Sequence, residues 1–159
     1  MDLCILEENE SLFIDIIAPV LRDRYCICTV PANTFGYRIF HMYDSDQLEN
    51  SELLNYRYPF CDIFIMKPYK KKCYIKERIG KTLWPQEAYK LCDIVKPKLK
   101  LFGDYYLNCP DNAENYLDRT YGENWRCVAQ TQNFCHLLRE RKSPFEFDLV
   151  CYEPAKPFQ

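Results

Sequence analysis

The chain has 159 residues, of which 48% are apolar, 28% charged and 16% aromatic, and its net charge is −2. That is enough apolar chain for one folded domain, and it excludes both a disordered tail and the domain-wide basic field that drives non-specific nucleic-acid binding. Its four glycines stand at positions 36, 80, 103 and 122, too scattered to build a phosphate-cradling loop, so P-loop, dinucleotide-binding and kinase-type glycine motifs are excluded.

Residues 2–6 (Asp-Leu-Cys-Ile-Leu) form an apolar run suited to a buried strand. Leu12, Phe13, Ile16, Ile17, Val20 and Leu21 then recur at helical spacing. They predict an amphipathic helix over about 10–23, capped by Asn9 and kinked or broken by Pro19. Alternation predicts strands over Tyr25–Val30 and Phe35–Met42, with Pro31-Ala32-Asn33-Thr34 as the turn of a hairpin. The polar, acidic stretch 43–57 reads as a surface loop. Phe60–Met66 is the most hydrophobic segment, and a run apolar on both faces belongs in the centre of a sheet.

Residues 67–78 carry six basic side chains around Tyr69 and Tyr74. They read either as a surface for phosphates or as a charged edge that resists aggregation. Trp84-Pro85 predicts a short helix near 85–92, and Leu99–Cys109, interrupted by Gly103, a second hairpin. Asp111 and Glu114 have capping-box spacing, opening a helix with Tyr116 and Leu117 as its first buried positions and Gly122 as its stop. A proline-bearing tail after about 140 is expected to wrap the surface. The expected class is therefore α+β, a mixed β-sheet flanked by helices. No apolar run approaches the roughly 18 residues of a membrane span, and no secretory signal is evident, so the default compartment is the cytoplasm. The ten cysteines lack zinc-site spacing and read as scattered reduced thiols.

Asp62 stands out because a carboxylate within Phe60-Cys61-Asp62-Ile63-Phe64-Ile65-Met66 is costly to bury alone. It is either an ordinary satisfied Asp near a strand start or a ligand. Asp2 poses the same question, and two strands each offering one acid could share a divalent metal of the kind used in phosphoryl transfer. Arg38 sets a permanent cation in a strand pattern, where it needs a carboxylate partner or a phosphate. His41 and His136 have no metal-ligand spacing, and Trp84 and Trp125 read as packing residues.

Taken in order, several segments form a familiar series. These are Asp2-Leu3-Cys4-Ile5-Leu6, Tyr37-Arg38-Ile39-Phe40, Tyr58-Pro59-Phe60-Cys61-Asp62-Ile63-Phe64 and Trp84-Pro85. Phe102-Gly103, Pro110-Asp111-Asn112 with Tyr116-Leu117, and Tyr121-Gly122-Glu123-Asn124-Trp125 complete it. The series, over roughly residues 2–136, resembles the LicD/fukutin family of nucleotidyltransferase-fold proteins. The resemblance divides the chain into a family-like domain, 1–140, and an extension, 141–159, that packs on its surface.

The resemblance implies a transferase that moves phosphocholine or a sugar or polyol phosphate from a cytidine-nucleotide donor to a glycan acceptor, using Mg²⁺ or Mn²⁺. Asp62 matches the family's later acid and Asp2 the last acid of its early D-x-D motif. Both are expected to act catalytically on the metal, with Arg38 and Lys67 meeting phosphates. Met1 stands at the intervening apolar position, so the first acid and the glycine-containing turn and helix before it have no counterpart. The expected fold is thus nucleotidyltransferase-like and truncated at its N-terminal side. Three readings of that departure are a shortened gene product, an inactive relative serving as a binding or scaffolding module, and replacement of the acid by Glu7 or Glu8.

Overall fold

A computed structural model describes residues 2–30, 34–43, 46–47, 57–130, 134–135, 140–141, 143 and 146–148. The first strand, β1 (Asp2–Leu6), leads through a 3₁₀ turn into a helical stretch, α1, in three consecutive pieces: Glu10–Leu12, a π-helical turn at Phe13–Ile17, and Ala18–Leu21. Pro19 lacks the N–H a regular helix needs, and the wider turn precedes it, with the Ala18 N–H donating to the Phe13 carbonyl. Asn9 holds the capping position, but its side chain makes no capping hydrogen bond.

The expected hairpin is present: β2 (Tyr25–Thr29) pairs antiparallel with β3 (Gly36–His41). Within 43–57, β4 (Asp46–Gln47) pairs with β5 (Arg57–Tyr58), while 44–45 and 48–56 lie outside the described residues. The Phe60–Met66 run lies within the ten-residue β6 (Phe60–Tyr69). As its two-sided hydrophobicity requires, β6 is central. It meets β3 along Phe60–Phe64, β1 along Asp62–Met66 and β7 (Lys72–Ile75) along Met66–Tyr69. With β8 (Ala88–Lys90) on β7, these make a six-stranded sheet, antiparallel except for the β1–β6 pair.

The sheet is packed on both faces. Phe13 of α1 closes one side against Ile63 and Ile65, with Leu3, Ile5, Ile27 and Ile39 around them. On the other, Val30, Phe35, Met66, Cys73 and Ile75 pack with Phe64, Trp84 and Tyr89. The basic stretch 67–78 is mostly the β6–β7 hairpin, turning at Lys70 with φ +56° and its lysines largely at the surface.

The helix expected near 85–92 is not there. Trp84, with φ −129° and ψ 69°, is held out of the helical region by the following proline. The segment instead divides into α2 (Arg78–Leu83), the edge strand β8 and α3 (Leu91–Val95). Beyond it, β9 (Lys98–Phe102) and β10 (Tyr105–Cys109) form the expected second hairpin. The last helix, α4 (Ala113–Tyr121), ends at Gly122 with φ +88° as expected, but its capping box does not form. Asn112 takes the N-cap position without a side-chain bond, and the Asp111 carboxylate ion-pairs with Lys98 instead.

β11 (Val128–Gln130) pairs with β14 (Glu146–Asp148), and β12 (Phe134–Cys135) with β13 (Glu140–Arg141), so part of the extension pairs back onto the chain. Residues 149–159 lie outside the described residues, as do His136 and Met1. Among the described residues, no helix is long and apolar enough to cross a membrane. The α+β class and the mixed sheet flanked by helices are therefore as expected.

Candidate active site

The parallel register of β1 on β6 sets Asp2 directly opposite Asp62. Paired positions of neighbouring strands carry side chains on the same face, so the two acids are brought together across about 5 Å of sheet. Asp2 is exposed and Asp62 is buried, with 7% of its surface accessible.

The third member comes from the other flank of β6, where Arg38 is the register partner of Asp62. Its Nε–H donates to Asp62 Oδ1 at 2.6 Å and its Nη2 to Oδ2 at 2.8 Å. The guanidinium lies 3.8 Å from the centre of the Phe60 ring, and 9% of Arg38 is accessible. A fork of two parallel charge-assisted bonds, stacked on an aromatic face, fixes both partners. Arg38 is thus the carboxylate's structural partner.

Lys67 is not brought to this group. It sits five positions further along β6, about 16 Å at the usual strand rise, and its ammonium pairs with Glu7 at 3.2 Å. Glu7 also accepts from Lys76, so its carboxyl is held below the usual range chiefly by the hydrogen bond from Lys67.

The site has a member that sequence reasoning passed over. Glu87, just before β8, accepts a hydrogen bond from the Tyr116 hydroxyl of α4 at 2.7 Å and a long one from Tyr89 at 3.5 Å. The Tyr89 and Tyr116 rings stack with centres 4.9 Å apart. Burial pushes the Glu87 carboxyl above its ordinary range; Tyr116 opposes this, and the negative charge of Asp2 adds to it. Burial likewise raises Tyr116 and Tyr121, with the Glu87 charge contributing to both and Asp2 to Tyr121. The one signal for Glu87 was a carboxylate just after Trp84-Pro85, and reading 85–92 as a helix put it on the wrong element.

A divalent ion taken up by carboxylates and substrate phosphates needs carboxylate oxygens open to it. Asp2 and Asp62 have the right chemistry and adjacent positions. As arranged, however, they do not fit such an ion, because Arg38 bonds to both oxygens of Asp62 and sets a positive charge directly against that carboxylate. No group of three or more His, Cys, Asp or Glu side chains converges on a common point among the described residues. What the arrangement offers is a buried, neutralised acid beside an exposed one, with a protonatable carboxyl and two tyrosine hydroxyls nearby. Of the histidines, His41 packs edge-on against Tyr25 at 5.1 Å.

Comparison with protein-family models, curated proteins and solved structures returns no match.

Proposed function

We propose that this chain is a LicD/fukutin-like domain of nucleotidyltransferase type, transferring a phospho-substituent from a cytidine-nucleotide donor to a glycan. The observation that supports this reading is the pairing of Asp2 with Asp62 across adjacent parallel strands. The family resemblance had assigned these two acids to one site from sequence positions far apart. In this reading Asp2 and Glu87 face the reacting groups, while Arg38 and Asp62 hold the β3–β6–β1 frame on which Asp2 is presented. Mg²⁺ or Mn²⁺ comes from the resemblance alone, and the Arg38 guanidinium bonded to both oxygens of Asp62 opposes its binding there.

A second reading is a module of the same family that binds donor or glycan without turnover. The bidentate Arg38–Asp62 pair favours it, since an acid committed to a structural guanidinium is withdrawn from chemistry. Incubation with a labelled cytidine-nucleotide donor, a glycan acceptor and Mg²⁺ or Mn²⁺ separates the two. The transferase reading expects label on the glycan, reduced about 100-fold or more in Asp2→Asn, a substitution at an exposed position that spares the fold. Donor or glycan binding by equilibrium dialysis without transfer selects the module; neither binding nor transfer discards both.

A further inference from the structure

On the face of the sheet opposite Asp62 lies a half-open cavity of about 210 Å³, lined by Glu10, Phe35, Gly36, Tyr37, Lys76 and Glu77 among others. Tyr37 alternates with Arg38 along β3, so the cavity is separated from the acid pair by the sheet itself. It owes nothing to the transferase reading.

Its walls are pre-formed. A Cβ on Gly36 would stand 2.3 Å from the Ile63 carbonyl oxygen, so the β3 backbone lies directly on β6. A Cβ on Gly80 would stand 2.0 Å from the Thr34 carbonyl oxygen, so α2 presses on the residue just before Phe35. The Tyr37 ring leans on Phe13 at 5.5 Å, while the Phe35 ring stacks on Phe64 at 4.3 Å in the core of the other face and anchors the segment behind Gly36. A site already held in shape loses little ordering entropy when filled.

Its charges do not balance. Lys76 donates to Glu10 at 2.7 Å and contacts Glu7 at 3.5 Å, while Lys67 contacts Glu7 at 3.2 Å. The Tyr37 hydroxyl donates to Glu10 at 2.9 Å. Two ammonium groups therefore answer Glu7 and Glu10, and Glu77 is left over. Its carboxylate makes no hydrogen bond or ion pair among the described residues, although its backbone carbonyl accepts from Lys81 as α2 begins. The surplus is one negative charge at a cavity walled in part by the Tyr37 ring.

We propose that this cavity binds a small primary ammonium ion. The Glu77 carboxylate would accept from its N–H groups, and the Tyr37 ring would cover its alkyl part and attract its charge. Anions are disfavoured because both lysines are already paired. A strongly hydrated metal ion would gain little from an aromatic wall, and the volume is below the roughly 300 Å³ at which sites for drug-sized ligands begin.

The test titrates the full chain with butylammonium chloride and follows the Tyr37 ring resonances by NMR. Tetramethylammonium, which has no N–H, potassium and acetate serve as comparison ions. The expected result is saturable binding of butylammonium alone, weakened about tenfold in Glu77→Gln and partly restored in Glu77→Asp, with the melting temperature unchanged in both. Absence of saturation, equal binding by Glu77→Gln, or an equal response to potassium or tetramethylammonium overturns the proposal. Saturable acetate binding overturns it too, by making Lys76 the recognising group.

Discussion

Replacing Asp62 by Asn removes the carboxylate charge that the Arg38 guanidinium, buried on the Phe60 ring, meets through two N–H groups. Breaking one side of a buried pair costs about 3–5 kcal/mol, whereas exchanging both partners for apolar residues of similar volume is often close to neutral. Urea denaturation should therefore show a large loss for Asp62→Asn and recovery of most of it in Arg38→Met/Asp62→Leu. Equal losses in both would mean that the pair is valued for more than its charges. At Glu87 the folded chain holds the proton more tightly than the unfolded one, whose value is near 4.5. Such an acid adds stability below pH 4.5, and that contribution is lost as pH rises through the raised value. Between about pH 4 and 7 the wild-type chain should lose more stability than Glu87→Gln, whose amide oxygen still accepts from Tyr116. Parallel stability curves for the two would remove the burial argument. The sequence exposed Asp62 and Arg38 because a charge inside an apolar run is conspicuous. It hid Glu87, which stands in no apolar run and meets Tyr116 of α4 nearly 30 positions away.

Elements defined by their own periodicity were legible: the β2–β3 and β9–β10 hairpins, the apolar β6, and α4 ending at Gly122. Those decided by their neighbours were not. β8 is a strand because the β7 edge offers Lys72–Tyr74 as partners, and no local pattern in Ala88–Lys90 reports an available edge. The capping box at Asp111 failed for a similar reason, since Lys98 competes for the same carboxylate. Glycines give the sharpest test at this scale. Gly80 lies inside α2, where alanine propensity alone would favour Ala by about 1 kcal/mol. The Thr34 carbonyl blocks the added carbon, so Gly80→Ala should instead destabilise by about 2–4 kcal/mol in thermal or urea unfolding. Gly103, with φ +59° and nothing within 4 Å of an added Cβ, should cost only about 1 kcal/mol as Ala. A reversed order would mean that α2 yields to Thr34 at little cost.

For the molecule as a whole, the α+β class followed from two-sided hydrophobicity in β6 and the helical repeat of α1, although Leu12, Ile16, Ile17 and Val20 of that expected apolar stripe are exposed and Phe13 is its one buried member. The parallel seating of β1 could not be read in advance, because nothing in Asp2–Leu6 names a partner strand. Cys4, Cys26, Cys28, Cys61, Cys73, Cys92, Cys109 and Cys127 are free thiols, from the fully buried Cys73 to the exposed Cys92 and Cys127. With these eight free and the other two read from the sequence as reduced, thiol titration of denatured, unreduced protein should count all ten cysteines. In the native state Cys92 and Cys127 should react early, with Cys73 protected until global unfolding. Fewer than ten groups after denaturation would reveal a disulfide.

The β1–β6 pair also bears on the order in which the sheet is assembled. The β2–β3 and β6–β7 hairpins close over short stretches of chain, but every β1–β6 contact joins residues 60 positions apart, as Asp2 to Asp62 and Leu6 to Met66 do. Closing that loop has an entropic cost that only a pre-existing β6 surface repays. The acid that faces solvent at the site is therefore carried by the strand expected to dock last, onto the β3–β6 frame that the Arg38–Asp62 fork joins over a shorter loop.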